Sequence, residues 1–107
     1  MPKGTYIIAF VTASNESEAE KIAKSIVEKG FAACVNIIPK IKSIYKWQGK
    51  VEDSEEVLLI MKSVASKFDG LKNEVLRLHS YEVPEIICAQ ISQGSERYLN
   101  WIDENTI

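Results

Sequence analysis

The sequence predicts an α+β domain: an antiparallel sheet with two helices on one face, a long central hairpin and a short C-terminal helix. Three observations carry that prediction. Segments rich in β-formers alternate with two stripes of apolar residues at helical spacing. A capping signal and a glycine bracket the first helix. The two middle strands run on well past what the helices can cover. With 107 residues, 46% of them apolar and 26% charged, the chain has the size and composition of one globular domain. No repeat, linker or low-complexity segment divides it, so residues 1–107 are read as a single domain.

Thr5 to Thr12 is a near-continuous apolar run, the pattern of an interior strand buried on both faces. Asn15 with Glu18 three residues on resembles a capping box. It opens a helix with Ala19, Ile22, Ala23, Ile26 and Val27 on one stripe. Gly30 ends that helix at a position free to take positive φ. Phe31 to Ile38 reads as a second strand, an edge strand or one bulged at Pro39, because proline cannot donate to a ladder. The strand resumes from Ile41 to Gln48, with Ile41, Ser43, Tyr45 and Trp47 on one side and Lys40, Lys42, Ile44 and Lys46 on the other. Gln48-Gly49 makes a two-residue turn into a third strand, Lys50 to Lys62. That register sets Lys42 opposite Glu55, a favourable cross-strand pair. Ser66 is the expected cap of a second helix with Phe68, Leu71, Val75 and Leu78 on its stripe, finishing at His79. Pro84 blocks further helix, Ile86 to Ile91 makes a fourth strand, and Gly94-Ser95 opens the terminal helix. The order β-α-β-β-α-β is that of the ferredoxin-like split βαβ arrangement.

The third strand covers roughly 43 Å and the first only about 26 Å, whereas helices of about 14 residues reach about 21 Å. The outer hairpin carries Ile41, Ile44, Tyr45, Trp47 and Val51, and a two-stranded ribbon showing these to water is marginal and prone to aggregate. Another copy of the chain is the expected cover, so a closed homo-oligomer follows.

Chemistry is sparse. Lys plus Arg number 13 against 15 Asp plus Glu, for a net charge of −2, so nothing calls for nucleic acid. No apolar stretch approaches a membrane span, and the start, Met-Pro-Lys-Gly, has none of the features of a secretory leader. Cys34 and Cys88, each alone in an apolar run, suit reduced core thiols of a cytoplasmic protein, with a single disulfide between them as the other reading. The five glycines are isolated, which excludes a phosphate-binding loop and a dinucleotide fingerprint, and no nucleophile elbow is present. His79 is the only histidine. It is read either as a residue compatible with the negative end of a helix dipole or as a metal ligand. The acidic cluster Glu52, Asp53, Glu55 and Glu56 reads as a charged strand face balancing the lysines across the hairpin, with weak cation binding compatible with it. The connection His79-Ser80-Tyr81-Glu82-Val83-Pro84-Glu85 is the densest in titratable groups. It is either a ligand-contacting loop or a turn set by Pro84.

Taken together these residues resemble the CutA divalent-cation-tolerance family, over nearly the whole chain from Tyr6 to Trp101. The motifs that carry the resemblance are Ala33-Cys34-Val35-Asn36, Ser43-Ile44-Tyr45-Lys46-Trp47-Gln48-Gly49-Lys50-Val51, Glu56 to Lys62, His79-x-Tyr81-x-x-Pro84-Glu85 and Tyr98-x-x-Trp101. The resemblance implies a non-enzymatic subunit that forms a tight homotrimer through its hairpin, at Ile41, Tyr45, Trp47, Gly49 and Val51. It also implies a role in tolerance to copper and other divalent cations. His79 becomes the candidate metal ligand, for Cu²⁺ or another divalent cation, with Lys62, Tyr81 and Glu85 in a cleft between subunits. The family trimer is similar to that of the PII signalling proteins, so a module binding a small anionic effector between subunits, through Lys62, is the alternative. One departure weakens a copper site. Where some members have a cysteine and a second histidine, this chain has Val11 and Leu78. Copper favours several N or S donors.

Overall fold

The computed structural model describes residues 5–107; the reading of Met1–Gly4 lies outside them. The elements follow in the order β1 (Tyr6–Ala13), α1 (Glu16–Glu28), β2 (Cys34–Trp47), β3 (Lys50–Val64), a 3₁₀ turn (Ala65–Lys67), α2 (Phe68–Leu78), β4 (Ile86–Gln90) and α3 (Glu96–Glu104). The strands form one antiparallel sheet in the order β2-β3-β1-β4, so the expected ferredoxin-like α+β arrangement is the observed one.

Register separates the two faces of the sheet. Ile7, Ala9, Val11 and Ala13 lie opposite Ser63, Met61, Leu59 and Val57; all are buried, and all but Ile7 and Ser63 belong to the core under the two main helices. The helices present the stripes expected of them: Ala19, Ile22, Ala23 and Ile26 from α1, Leu71 and Val75 from α2. Val27, counted on the α1 stripe from its spacing, turns instead toward solvent. Asn15 caps α1 through its side chain, which accepts from the Glu18 N–H at 2.8 Å, and Gly30 takes φ +74 just past the helix end. Between the helices the buried Glu74 carboxylate accepts from Arg77 (2.6 and 3.0 Å), Lys29 (3.0 Å) and Ser25. Those hydrogen bonds, Arg77 foremost, hold its pKa well below the usual carboxylate range.

Three expectations are corrected. The first strand is not buried on both faces. Tyr6, Ile8 and Phe10 are only half buried, because no helix of the chain covers most of that side of the sheet. Ser66 does not cap the second helix. It sits inside the 3₁₀ turn, and neither that turn nor α2 has a side-chain cap. Cys88 is exposed, because β4 pairs on one side only, while Cys34 is half buried; both are free thiols. The short helix α3 closes one end of the open face, where Ile102 and Leu99 pack on Tyr6, Ala33 and Val64. The Tyr6 hydroxyl donates to Asp103, and burial together with that carboxylate pushes the phenol up to about 12.

The hairpin extends the molecule to 49 × 25 × 22 Å. Gln48 (φ 50) and Gly49 (φ +80) form its turn, both in the left-handed region that a primed two-residue turn requires. Lys42 does pair with Glu55. Between Ile38 and Ile41 the pairing slips. Ile38 lies opposite Leu58 and Ile41 opposite Glu56, so β2 carries one extra residue there, with Lys40 at φ 61. This is a β-bulge next to the proline that marked it in the sequence.

Candidate functional site

The bulge decides which side chains meet. Before it, odd-numbered residues of β2 face the helices; Val35 and Ile37 lie opposite Met61 and Leu59. After it, odd-numbered residues pair with even-numbered ones of β3 and lie on the open face: Ile41 with Glu56, Ser43 with Ser54, Tyr45 with Glu52, Trp47 with Lys50. Thr12 opposes Leu58, so it too lies on the open face. The connection from α2 to β4 closes over these residues. The result is a cleft of about 580 Å³ lined by Thr12, Ser43, Ile44, Tyr45, Trp47, Glu56, Tyr81, Glu82, Val83 and Glu85.

His79 anchors that connection. Its Nδ1 accepts from the Tyr81 backbone N–H at 3.0 Å, and its Nε2 lies 2.6 Å from the Thr12 carbonyl oxygen. An acceptor role at Nδ1 assigns Nε2 as the donor to the Thr12 carbonyl, so both ring nitrogens are engaged. The His79 and Tyr81 rings lie 4.7 Å apart, and Tyr81 reaches inward so that its hydroxyl donates to Glu56 Oε2 at 2.7 Å. Burial, then the Glu56 hydrogen bond, pushes the Tyr81 phenol far above its ordinary value, so it is a donor at any physiological pH. A second tie comes from Glu18, whose carboxylate accepts from Ser80 N (2.9 Å) and from Ser14 N and Oγ (both 3.1 Å). Partial burial works to raise this carboxyl, but the hydrogen bonds from Ser80 and Ser14 outweigh it and hold it below the ordinary range. One residue thus supports the start of α1 and fixes the loop beside the cleft.

The residues singled out by sequence fall into two groups. Within the single chain, Tyr81 and Glu85 line the cleft together with Tyr45 and Trp47 of the hairpin. Lys62 is elsewhere: it stands on the open face beyond the bulge, where its ammonium donates to Asn36 on the neighbouring strand. His79 lies behind the cleft rather than in its lining. Among the described residues no group of three or more His, Cys, Asp or Glu side chains is placed to hold a metal ion. Sequence reasoning missed Glu56 as a site residue and placed it with the solvated charges of the hairpin. It is 8% exposed. The signal was present in its position at the start of the apolar run Val57 to Met61.

An open antiparallel sheet with two helices on one face, a long hairpin and an anionic cleft at its base define a small ferredoxin-like α+β protein. The family model for the CutA1 divalent ion tolerance protein matches residues 7–105, and the chain belongs to that family. The divalent-cation tolerance protein CutA of Thermus thermophilus is 46% identical over 99 residues, covering 92% of this chain and 96% of that one. The human protein CutA is 46% identical over 103 residues, 96% of this chain, which spans only 58% of the human protein's length. A solved structure titled as the periplasmic divalent cation tolerance protein CutA from Archaeoglobus fulgidus superposes with a TM-score of 0.92 at 42% identity, covering 95% and 99% of the two chains.

Proposed function

We propose that the protein is a non-enzymatic, cytoplasmic homotrimer acting in tolerance to divalent metal ions, copper among them. One observation carries the oligomer: the apolar surface of a single chain has no cover. Ile44 is 70% exposed, Val51 74% and Trp47 44%, and Ile38 and Ile87 are exposed on the open sheet face. Apolar surface spread along one face and one hairpin marks an interaction site. Two unpaired strand edges, β2 and β4, stand ready to extend a neighbour's sheet. Light scattering on the purified chain of 12.0 kDa is expected to give three times that mass, and a monomer at micromolar concentration would overturn the reading.

Two free thiols support a reducing compartment. A binding role rather than a catalytic one is supported by His79, whose ring nitrogens are both engaged with backbone groups, so its imidazole has no free nitrogen to act as a base. The same engagement makes metal binding at His79 weak, since a cation must displace either the Thr12 carbonyl or the Tyr81 N–H. Calorimetry with Cu²⁺ on wild type and His79→Ala tests this. A weak isotherm lost in the variant assigns the ligand to His79, and identical isotherms remove it. The reading as a receptor for an anionic effector draws no support from the cleft, whose lining holds three carboxylates and no lysine or arginine.

A further inference from the structure

We infer that Glu18, in the first turn of α1, is a positioning residue that acts through Ser80 and Tyr81 to brace the root of the hairpin. The brace sets the angle of the surface that copies of the chain share, a consequence that rests on the hairpin being their contact. β1 ends at Ala13, opposite Val57, so Glu56 is the first residue of β3 with a strand on one side only. From there Lys50–Glu56 reaches roughly 23 Å outward, a lever that magnifies any change of angle at its root. The bulge in β2 lies at the same level, between Ile38 and Ile41, so the remaining neighbour is irregular as well. A two-stranded ribbon is marginal without further support. At this residue the Tyr81 hydroxyl donates to Glu56 Oε2 at 2.7 Å, so the connection from α2 to β4 supplies the support that β1 no longer gives.

A connection braces only if it is itself held, and irregular surface segments are ordinarily the mobile part of a fold. His79 ties this one to the end of β1, through the Thr12 carbonyl, and fixes the Tyr81 N–H at its own Nδ1. The tie to the helix layer is Glu18, 62 positions from Ser80 in the chain. Its Oε2 accepts the Ser80 N–H at 2.9 Å, while Ser14 N and Oγ, each at 3.1 Å, anchor Oε1. A carboxylate held at one oxygen presents the other in a fixed direction, and its bond to Ser80 is charge-assisted. Two successive N–H groups, of Ser80 and Tyr81, are therefore captured by side chains immediately before the ring that reaches Glu56. The path from α1 to the hairpin root runs Glu18, Ser80, Tyr81, Glu56, each step a hydrogen bond or a peptide link. A contact surface held at one angle before association loses less freedom on binding, so the brace strengthens assembly by preorganisation.

The test is amide hydrogen exchange of the intact protein, beside dissociation on dilution followed by light scattering. Glu18→Ala is expected to speed exchange at Ser80 and Tyr81 about tenfold and at Glu56 by less. It should also raise the dilution midpoint several-fold. Glu18→Gln keeps an acceptor and should show smaller shifts of the same kind. Tyr81→Phe removes the hydroxyl on Glu56, and adding Glu18→Ala to it should move the midpoint little further, since both cut one path. Lys24→Gly weakens α1 at an exposed position away from the connection. It should lower the melting temperature while leaving exchange at Ser80 and Tyr81 and the midpoint unchanged. Unaltered exchange at Ser80 and Tyr81 in Glu18→Ala would overturn the inference. So would faster exchange with an unmoved midpoint, or a Lys24→Gly variant that matches Glu18→Ala in both. A wild type monomeric at every concentration overturns the assembly reading instead, and with it the effect on assembly, while faster exchange at Ser80, Tyr81 and Glu56 in Glu18→Ala still upholds the brace.

Discussion

Inner β3, from Val57 to Val64, and outer β3, from Lys50 to Glu56, are one unbroken strand, yet they sit in different environments. The inner half is covered by helices, with Val57, Leu59 and Met61 in the core under α1 and α2 and Val64 packed against α3, and Ser63 is buried with them. The outer half pairs only with β2, and its one buried residue is Glu56. The inner half is also hydrogen-bonded on both edges, to β1 and to β2, and the outer half on one. The other difference is the covering layer of helices. A strand can propagate as far as its partner does, but it becomes stable where side chains leave water.

The sharpest way to break this contrast is to truncate each half in turn. Leu59→Ala removes a wholly buried side chain and is expected to cost about 2–5 kcal/mol in urea unfolding. If the outer half contributes only through association, Ile44→Lys with Val51→Lys should leave the circular dichroism of the fold intact. It should also reduce the oligomer mass seen by light scattering, each side chain forfeiting up to about 1.5–3 kcal/mol of apolar burial. An unchanged mass would place the contact elsewhere.

A third test concerns what closes the inner half. Glu74 joins α1 to α2, and its pKa is depressed in the folded chain. A group of this kind contributes stability above its unfolded pKa and loses it as pH falls through the folded one. The melting temperatures of wild type and Glu74→Gln should therefore differ by a constant amount near neutral pH, and the gap should narrow below about pH 4.3. The smallest effect is expected of Asn15→Ala, which removes the α1 cap at a cost of about 1 kcal/mol in thermal melts.

Much of the fold was legible because local rules agreed with global ones. Asn15 capped α1, Gly30 took positive φ after it, Gln48-Gly49 made the turn, and Lys42 fell opposite Glu55. Ser66 was misread as a cap because a serine before an apolar stripe is equally compatible with a 3₁₀ entry, and the choice is made by packing. Phe10 looked buried on both faces because composition cannot tell a covered face from one that awaits a partner. The site was less legible. Its aromatic wall was correctly seen to lie on one side of the hairpin, as the alternation of Tyr45 and Trp47 showed. Which face of the sheet that side joins depends on the extra residue in β2. Glu56 was therefore taken for a surface charge.

That extra residue has a consequence for how the chain can change. Deleting Lys40 would leave Pro39 opposite Val57 and Ile41 still opposite Glu56, so Ser43, Tyr45 and Trp47 would keep their side of the ribbon. What would go is the local bend and added twist that two residues set against one impose on a strand. Length at this point of the hairpin therefore steers where its outer half is aimed, and leaves untouched which side chains it shows.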